Sequence, residues 1–242
     1  MDTLKIKIFM LDLLFPAFCQ NCEKEGSYLC QDCKEILDIS EFDYCLCDKN
    51  PVRINPGEKG KCARCSDKKL SGLYSALPYK EKALTRKLIH KFKYDPSIRD
   101  LAKVFSAILI EHFVKAGTNK NDIWENAILI PVPLEIKKQK SRGFNQSEKL
   151  AEELSKILTI PVLSDELLKI KKTPPQMELS KEKRQENLKN AFSVQNTEKI
   201  KNKKIFLVDD VYTTGSTMEE CANVLRTSGA KQVWGIAIAR ES

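Results

Sequence analysis

The chain has 242 residues, of which 42% are hydrophobic and 31% charged. It is long enough to bury one sizeable core and a small accessory domain, and its composition excludes a mostly disordered protein. The formal net charge of +8 fits a protein that handles polyanions, either phosphates or nucleic acid, although charge alone indicates only non-specific attraction.

The most apolar stretch is the N-terminal one, residues 1–19. Lys5, Lys7 and Asp12 interrupt it, and Pro16 ends it short of the roughly 20 residues that a spanning helix needs. No small-residue cleavage site follows. We therefore expect a cytoplasmic protein with no integral membrane segment. Apolar residues at helical spacing predict a short helix docked on the protein itself, with a membrane-surface helix as the alternative.

Eight of the nine cysteines form paired knuckles between positions 19 and 65. Paired thiolates supply the tetrahedral sulfur ligands that zinc prefers, and a reducing cytosol argues against disulfides. The spacing predicts two structural Zn²⁺ sites, since four cysteines leave no open coordination position for a water molecule. Iron–sulfur ligation is the chemical alternative, and an interleaved pairing stays open. The sequential grouping is Cys19, Cys22, Cys30 and Cys33, then Cys45, Cys47, Cys62 and Cys65.

Strands alternate with helices in the remainder of the chain. This order predicts an α/β fold with a mostly parallel sheet flanked by helices, with functional sites at the carboxyl ends of the strands. We expect an N-terminal helix and a double zinc-ribbon domain at 1–70 and an α/β domain at 71–242. The predicted strands or extended segments are Leu73 to Pro78, Ala127 to Pro131, Leu167 to Ile170, Ala191 to Val194, Lys204 to Val208 and Gln232 to Ala239. The predicted helices are roughly 80–93, 99–115, Gln146 to Leu158 and Met218 to Ser228.

A basic loop, Pro131 to Ser147, follows the second predicted strand. Three lysines and Arg142 crowd together before Gly143, which permits a tight turn. Guanidinium and ammonium groups on such a loop suit a pyrophosphate, whereas the alternative is a solvated loop that binds nothing. We favour a functional role for Arg142 and leave both interpretations open for Lys137, Lys138 and Lys140.

A long polar stretch, Thr173 to Phe192, separates two core elements and contains Arg184. Pro174 and Pro175 disfavour a helix in the residues before them. A polar segment of this length between core elements is typical of a mobile lid over a binding site.

The segment Ile205 to Thr217 carries the strongest functional signal. An apolar strand is predicted to end in Asp209 and Asp210, which could accept hydrogen bonds from the hydroxyls of a ribose. A hydroxyl-rich turn before a helix suits a phosphate. Ordinary helix capping is the alternative, but it rarely produces this order of residues. The turn comprises Thr213, Thr214, Gly215, Ser216 and Thr217.

This segment resembles the phosphoribosyl-pyrophosphate (PRPP) loop of type I phosphoribosyltransferases. The cysteine knuckles, the Lys93-Tyr94 helix, PVPL with RGFNQ, TPPQ and DDVYTTGST occur in the same order as in the ComF family, named for competence for DNA uptake. The tight Cys45-x-Cys47 knuckle departs from the usual spacing. The resemblance implies that PRPP binds with Mg²⁺, that Val132 and Pro133 join the carboxylates and the turn as substrate contacts, and that Arg142 and Arg184 are catalytic.

Three functions remain open. The first is a phosphoribosyltransferase with an unknown acceptor that serves natural transformation. The second is a module in which PRPP regulates binding of single-stranded DNA or a protein, and the third is a nucleotide-salvage transferase, which has no need of two zinc sites. Family resemblance implies single-stranded DNA and the competence helicase as partners.

Overall fold

The computed structural model describes residues 16–55, 60–81, 83–94, 97–118, 121–171 and 186–241. The predicted N-terminal helix, Arg184 and most of the predicted lid lie outside these residues. The helices are α1 (Gln31–Glu35), α2 (Leu84–Lys93), α3 (Leu101–Lys115), α4 (Asn121–Trp124), α5 (Ile136–Arg142), α6 (Gln146–Leu158) and α7 (Ser216–Thr227). The strands are β1 (Asp43–Tyr44), β2 (Arg53–Ile54), β3 (Leu73–Pro78), β4 (Ala127–Pro131), β5 (Leu167–Lys169), β6 (Phe192–Val194), β7 (Lys204–Tyr212) and β8 (Gln232–Arg240).

The main sheet has four strands in the order β3-β8-β7-β4, and every neighbouring pair is parallel. The α/β prediction is thereby confirmed. These strands are rich in branched apolar residues, and β4 is buried along its whole length. Continuous apolar strands of this kind are typical of a parallel sheet that is covered on both faces.

Residues of β7 alternate between two hydrophobic clusters. Phe206 and Val208 pack with the cluster that contains buried residues of α2, α3 and α6. Ile205 and Leu207 pack with the cluster that contains buried residues of α7. Successive side chains of a strand point to opposite faces, so β7 separates these two layers.

The cysteine region packs directly against the sheet domain. Three cysteines of the first predicted group lie in the hydrophobic cluster of α2 and α3, namely Cys19, Cys30 and Cys33. Three cysteines of the second predicted group lie in the cluster of α7, namely Cys45, Cys47 and Cys65. The division of the chain at residue 70 stays a prediction. Among the described residues, no helix is long and apolar enough to cross a bilayer.

Several boundaries differ from the sequence prediction. The strand predicted to end at the two carboxylates continues to Tyr212, because its last residues pair with β8 as far as Arg240. The helix that follows begins two residues early, at Ser216. The predicted basic loop contains α5, which ends at Gly143 with φ of 76°. β5 and β6 form a separate antiparallel ribbon outside the main sheet.

Candidate functional site

A cleft of about 670 Å³ opens at the carboxyl edge of the main sheet. Its walls are the end of β7, the turn that follows it and the C-terminal half of α2. The structure thus brings together both predicted carboxylates and all five residues of the predicted turn. The lining includes Asp209, Asp210 and Thr213 to Thr217, with Lys93 and Tyr94 opposite.

The two carboxylates make different contacts although they are adjacent in sequence. Asp210 is buried and forms an ion pair with Lys93, whose Nζ lies 2.7 Å from Oδ1. Asp209 accepts hydrogen bonds through Oδ1 from the Ser147 hydroxyl at 2.9 Å and from the Asp210 backbone N–H at 2.8 Å. Burial and the neighbouring Asp210 raise the pKa of Asp209 to about 7, although Lys93 and both hydrogen bonds oppose that rise.

The RGFNQS segment explains how Ser147 reaches Asp209. Asn145 is the N-cap residue of α6, and its side-chain oxygen accepts a hydrogen bond from the Ser147 N–H at 3.1 Å. Its side-chain nitrogen donates to the Val132 carbonyl at 3.2 Å, which ties the helix start to the end of β4. The capped helix therefore holds a hydroxyl against the carboxylate at the end of β7.

The turn from Thr213 to Thr217 delivers the chain into α7. Gly215 caps the helix at φ of 76°, a conformation that favours glycine. A Cβ at this position would lie 2.3 Å from Tyr212 Oη, so close packing also requires glycine here. The hydroxyls of Thr214 and Ser216 lie 2.9 Å apart. First-turn amides of a helix lack intrahelical acceptors and carry the positive end of its dipole, so this turn can hold an anion.

Lys93 was not assigned a role from the sequence, although it falls within a segment that resembles the family motif. Its side chain is 19% exposed and that of Asp210 is 12% exposed. Burial opposes the charge of Lys93, but Asp210 and Asp209 outweigh that effect and raise its pKa. The charged ammonium group of Lys93 therefore links the α2 wall of the cleft to Asp210 on β7.

Among the described residues, Arg142, Val132 and Pro133 do not line the cleft. The Arg142 guanidinium sits 4.9 Å from the ring centroid of Tyr94, a lining residue, and donates to Gln146 Oε1 at 2.9 Å. The Val132 N–H donates to the Val208 carbonyl at 2.9 Å, which aligns β4 with β7, and Pro133 follows it. Ligand contacts by Arg142, Val132 and Pro133 stay predictions, as does the role of Arg184.

The cysteines form two groups of four in the sequential order. Within each group the Sγ atoms all lie within 4.8 Å of one another. Tetrahedral zinc with Zn–S bonds of about 2.3 Å places sulfurs about 3.8 Å apart. The Sγ atoms of Cys47 and Cys62 lie 3.6 Å apart, and those of Cys62 and Cys65 lie 3.7 Å apart.

Backbone and side-chain donors surround these sulfurs. The Val52 N–H lies 3.2 Å from Cys45 Sγ, and the Cys30 N–H lies 3.4 Å from Cys19 Sγ. Burial acts to raise the pKa of Cys19, but backbone donors outweigh it and lower that pKa to about 6. Such N–H donors stabilise thiolates and orient metal ligands. Both groups could therefore hold Zn²⁺.

Comparison with known proteins gives a consistent set of relatives. The family model described as a phosphoribosyl transferase domain matches residues 143–240. Competence protein F of Haemophilus influenzae is 44% identical over 158 residues, which cover 63% of this chain and 67% of that protein. DNA utilization protein YhgH of Escherichia coli O157:H7 is 35% identical over 61% of this chain and 64% of its own length. Competence protein ComFC of Streptococcus pneumoniae is 26% identical over 89% of each chain.

Proposed function

Since the chain belongs to the ComF family of phosphoribosyltransferase-like proteins, we propose that it binds PRPP with Mg²⁺ in the cleft at the end of β7 and serves DNA uptake. The observation that carries this proposal is one cleft that is lined by two carboxylates and by a hydroxyl-rich turn at a helix N-terminus. A ribose with a 5′-phosphate presents vicinal hydroxyls and a phosphate, which are the groups that carboxylates and helix-terminal amides bind. The names of the relatives, a competence protein and a DNA utilization protein, support the biological role.

Each part of the ligand has a partner of suitable chemistry. The carboxylates of Asp209 and Asp210 would accept hydrogen bonds from the ribose hydroxyls, and the Thr213 to Thr217 turn would bind the 5′-phosphate. Arg142 and Arg184 would contact the diphosphate. When bound, Mg²⁺ would neutralise charge on the diphosphate oxygens.

The reaction we propose is pentosyl transfer to an acceptor that is not identified. The acceptor atom bonds to C1′ of the ribose, the bond from C1′ to the diphosphate oxygen breaks with its electron pair, and pyrophosphate leaves. The acceptor loses its proton to solvent or a nearby base. Positioning and stabilisation of the leaving group supply the catalysis, so no protein nucleophile is needed.

Titration of the protein with PRPP and Mg²⁺ tests the binding site. Alanine at both Asp209 and Asp210 removes charge-assisted hydrogen bonds worth about 1.5–3 kcal/mol each, so binding should weaken at least about tenfold. Glu152→Ala is the control, because Glu152 pairs with Lys149 on the surface of α6. Unchanged affinity of the double variant in isothermal titration would contradict the assignment.

A second candidate, a PRPP-regulated binder of single-stranded DNA, is favoured by the surface of α5. Lys137, Lys138 and Lys140 are exposed and do not line the cleft, so their charge is available to a polymer. If they contact DNA, neutralising all three should flatten the salt dependence by about 0.7 per lost phosphate contact on a log–log plot. PRPP affinity should then barely change, whereas Arg142→Ala should weaken PRPP binding and keep the DNA salt slope.

Pyrophosphate release separates the enzyme from the binding module. Release from PRPP on addition of candidate acceptors, purine bases included, would support transfer, and its absence together with DNA binding would support the module. The helicase of the uptake pathway is the protein partner we propose. We also propose a cytoplasmic location, because reduced four-cysteine metal sites are typical of a reducing compartment.

A further inference from the structure

Three consecutive backbone carbonyls in the second cysteine group accept hydrogen bonds from other parts of the fold. Arg240, the last residue of β8, donates from Nη1 to the Cys45 carbonyl at 3.0 Å and from Nη2 to the Cys47 carbonyl at 2.7 Å. The Leu46 carbonyl accepts from the Tyr212 hydroxyl at 3.1 Å and from Lys68 Nζ at 2.6 Å. A knuckle that holds two of the four sulfurs is thereby fixed to the ends of β7 and β8.

Two of these donors, Arg240 and Tyr212, are buried and lie against each other. Arg240 is 5% exposed and Tyr212 is 1% exposed, and the guanidinium lies 5.5 Å from the centre of the Tyr212 ring. Burial raises the pKa of Tyr212, so its hydroxyl stays protonated and continues to donate. Lys68 Nζ also donates to Tyr212 Oη at 3.2 Å. Buried hydrogen bonds of this kind are costly to break, because each leaves a polar group unsatisfied.

Tyr212 also supports the anion-binding turn. It immediately precedes Thr213, and its ring lies so close beneath Gly215 that an added Cβ would fall 2.4 Å from Cζ. A movement of the Tyr212 ring would therefore displace the backbone of the turn. The same side chain thus contacts the cysteine group through its hydroxyl and the turn through its ring.

A second connection runs through the first turn of α7. The Glu219 carboxylate accepts hydrogen bonds from the backbone N–H groups of Lys69 and Leu70, the latter at 3.3 Å. Lys69 and Leu70 follow shortly after Cys65, the last cysteine of the second group. The helix whose N-terminus forms the anion site is therefore tied to the same cysteine group at a second point.

The first cysteine group packs in a different layer. Cys19, Cys30 and Cys33 share the hydrophobic cluster of α2 and α3. Nearby, Lys34 forms an ion pair with Glu111 of α3 at 2.7 Å. Cysteines of the second group instead share a cluster with Tyr212, Met218 and Cys221, around the start of α7.

We propose that Zn²⁺ in the second cysteine group and PRPP in the cleft bind with positive thermodynamic coupling, with Tyr212 and Arg240 as the positioning residues that transmit it. Bound metal would fix the backbone of residues 45–47. That backbone would hold Tyr212 through its hydrogen bond to the Leu46 carbonyl, and the Tyr212 ring would in turn hold Gly215 and the turn. This inference rests on the proposed binding of PRPP. Coupling between sites is reciprocal, so PRPP must retain the second zinc as strongly as that zinc improves PRPP affinity.

A matched pair of ligand variants tests the coupling. Cys22→Ser disrupts the first group and Cys62→Ser the second, and neither residue is fully buried. Hydrogen exchange of ligand-free protein is followed in peptides that cover residues 212–219. We expect faster exchange in Cys62→Ser than in Cys22→Ser, and PRPP affinity at least about fivefold weaker in Cys62→Ser alone.

Zinc release can be measured on the wild-type protein, so this test does not require that a cysteine variant folds. In wild type, capture of zinc by 4-(2-pyridylazo)resorcinol should slow for one of the two ions when PRPP and Mg²⁺ are present. Tyr212→Phe keeps the ring and removes the hydroxyl donor, so it should retain both zinc ions and lose at least half of this protection.

The outcomes separate this inference from the proposed function. If wild type binds PRPP, but both cysteine variants bind it equally, exchange alike and release zinc at rates that PRPP does not alter, the coupling is overturned and the proposed function stands. If wild type fails to bind PRPP, the proposed function is overturned. Equal exchange in the two variants would then overturn the positioning link as well.

Discussion

The raised pKa of Asp209 makes PRPP affinity depend on pH. In the free protein, burial and Asp210 raise this pKa to about 7. A ribose hydroxyl donates to the ionised carboxylate, so the ligand binds the deprotonated form and a proton leaves on binding. Because the folded pKa lies above its unfolded value, ionisation of Asp209 also costs the free fold stability as pH rises from about 4 to about 7. PRPP should offset that cost.

The magnitude follows from the ionised fraction. A pKa near 7 leaves about a tenth of Asp209 ionised at about pH 6 and about nine tenths at about pH 8. Affinity should therefore rise about tenfold over this interval, which corresponds to about 1.4 kcal/mol.

Isothermal titration at several pH values measures this rise, and repeating each titration in buffers of different ionisation enthalpy counts the released proton. Asp209→Asn should lose the tenfold rise and keep only the pH dependence of the ligand phosphates, since an amide does not titrate and its oxygen can still accept from Ser147. Inorganic pyrophosphate controls for ionisation of the phosphates, because it lacks the ribose. Equal pH dependence of PRPP binding in wild type and Asp209→Asn would refute the reasoning.

Three further variants test separate parts of the structure. Cys19→Ser should lower the zinc content, measured by atomic emission, from about two ions per chain to about one, and it should leave PRPP affinity within about twofold. One zinc ion or none in carefully purified wild type would overturn the two-site interpretation. Gly215→Ala places a Cβ against the aromatic ring beneath it, so it should lower both the melting temperature and PRPP affinity, and normal values would contradict the packing argument. Lys93→Ala leaves Asp210 without its cation and should lower the free energy of unfolding, measured by urea denaturation, by about 1–3 kcal/mol. Lys87→Ala, at an exposed position on the same helix, is the control. Equal losses in the two variants would show that the ion pair adds nothing to stability.

Local patterns predicted most of the fold. The periodicities of strand and helix, and the paired spacing of the cysteines, depend on residues that are close in sequence. The turn from Thr213 to Thr217 could likewise be predicted, because a strand, an acidic pair and a glycine-containing turn are contiguous. The parallel sheet and both four-cysteine groups are confirmed in the structure.

Contacts between distant segments decided the rest. β7 runs past the carboxylates to Tyr212 because β8 supplies hydrogen-bond partners as far as Arg240. Lys93 enters the cleft because α2 and β7 contribute to one hydrophobic cluster, and nothing in its local sequence predicts the ion pair with Asp210.

The sequence by itself therefore predicted most of the elements, the two cysteine groups and the position of the turn. The tertiary structure alone decided which cysteine group supports that turn, since the hydrogen bonds from Arg240 and Tyr212 span more than 160 positions. Pairing over such distances depends on how the layers pack, because the energy of a buried hydrogen bond comes from groups that only the folded chain brings together.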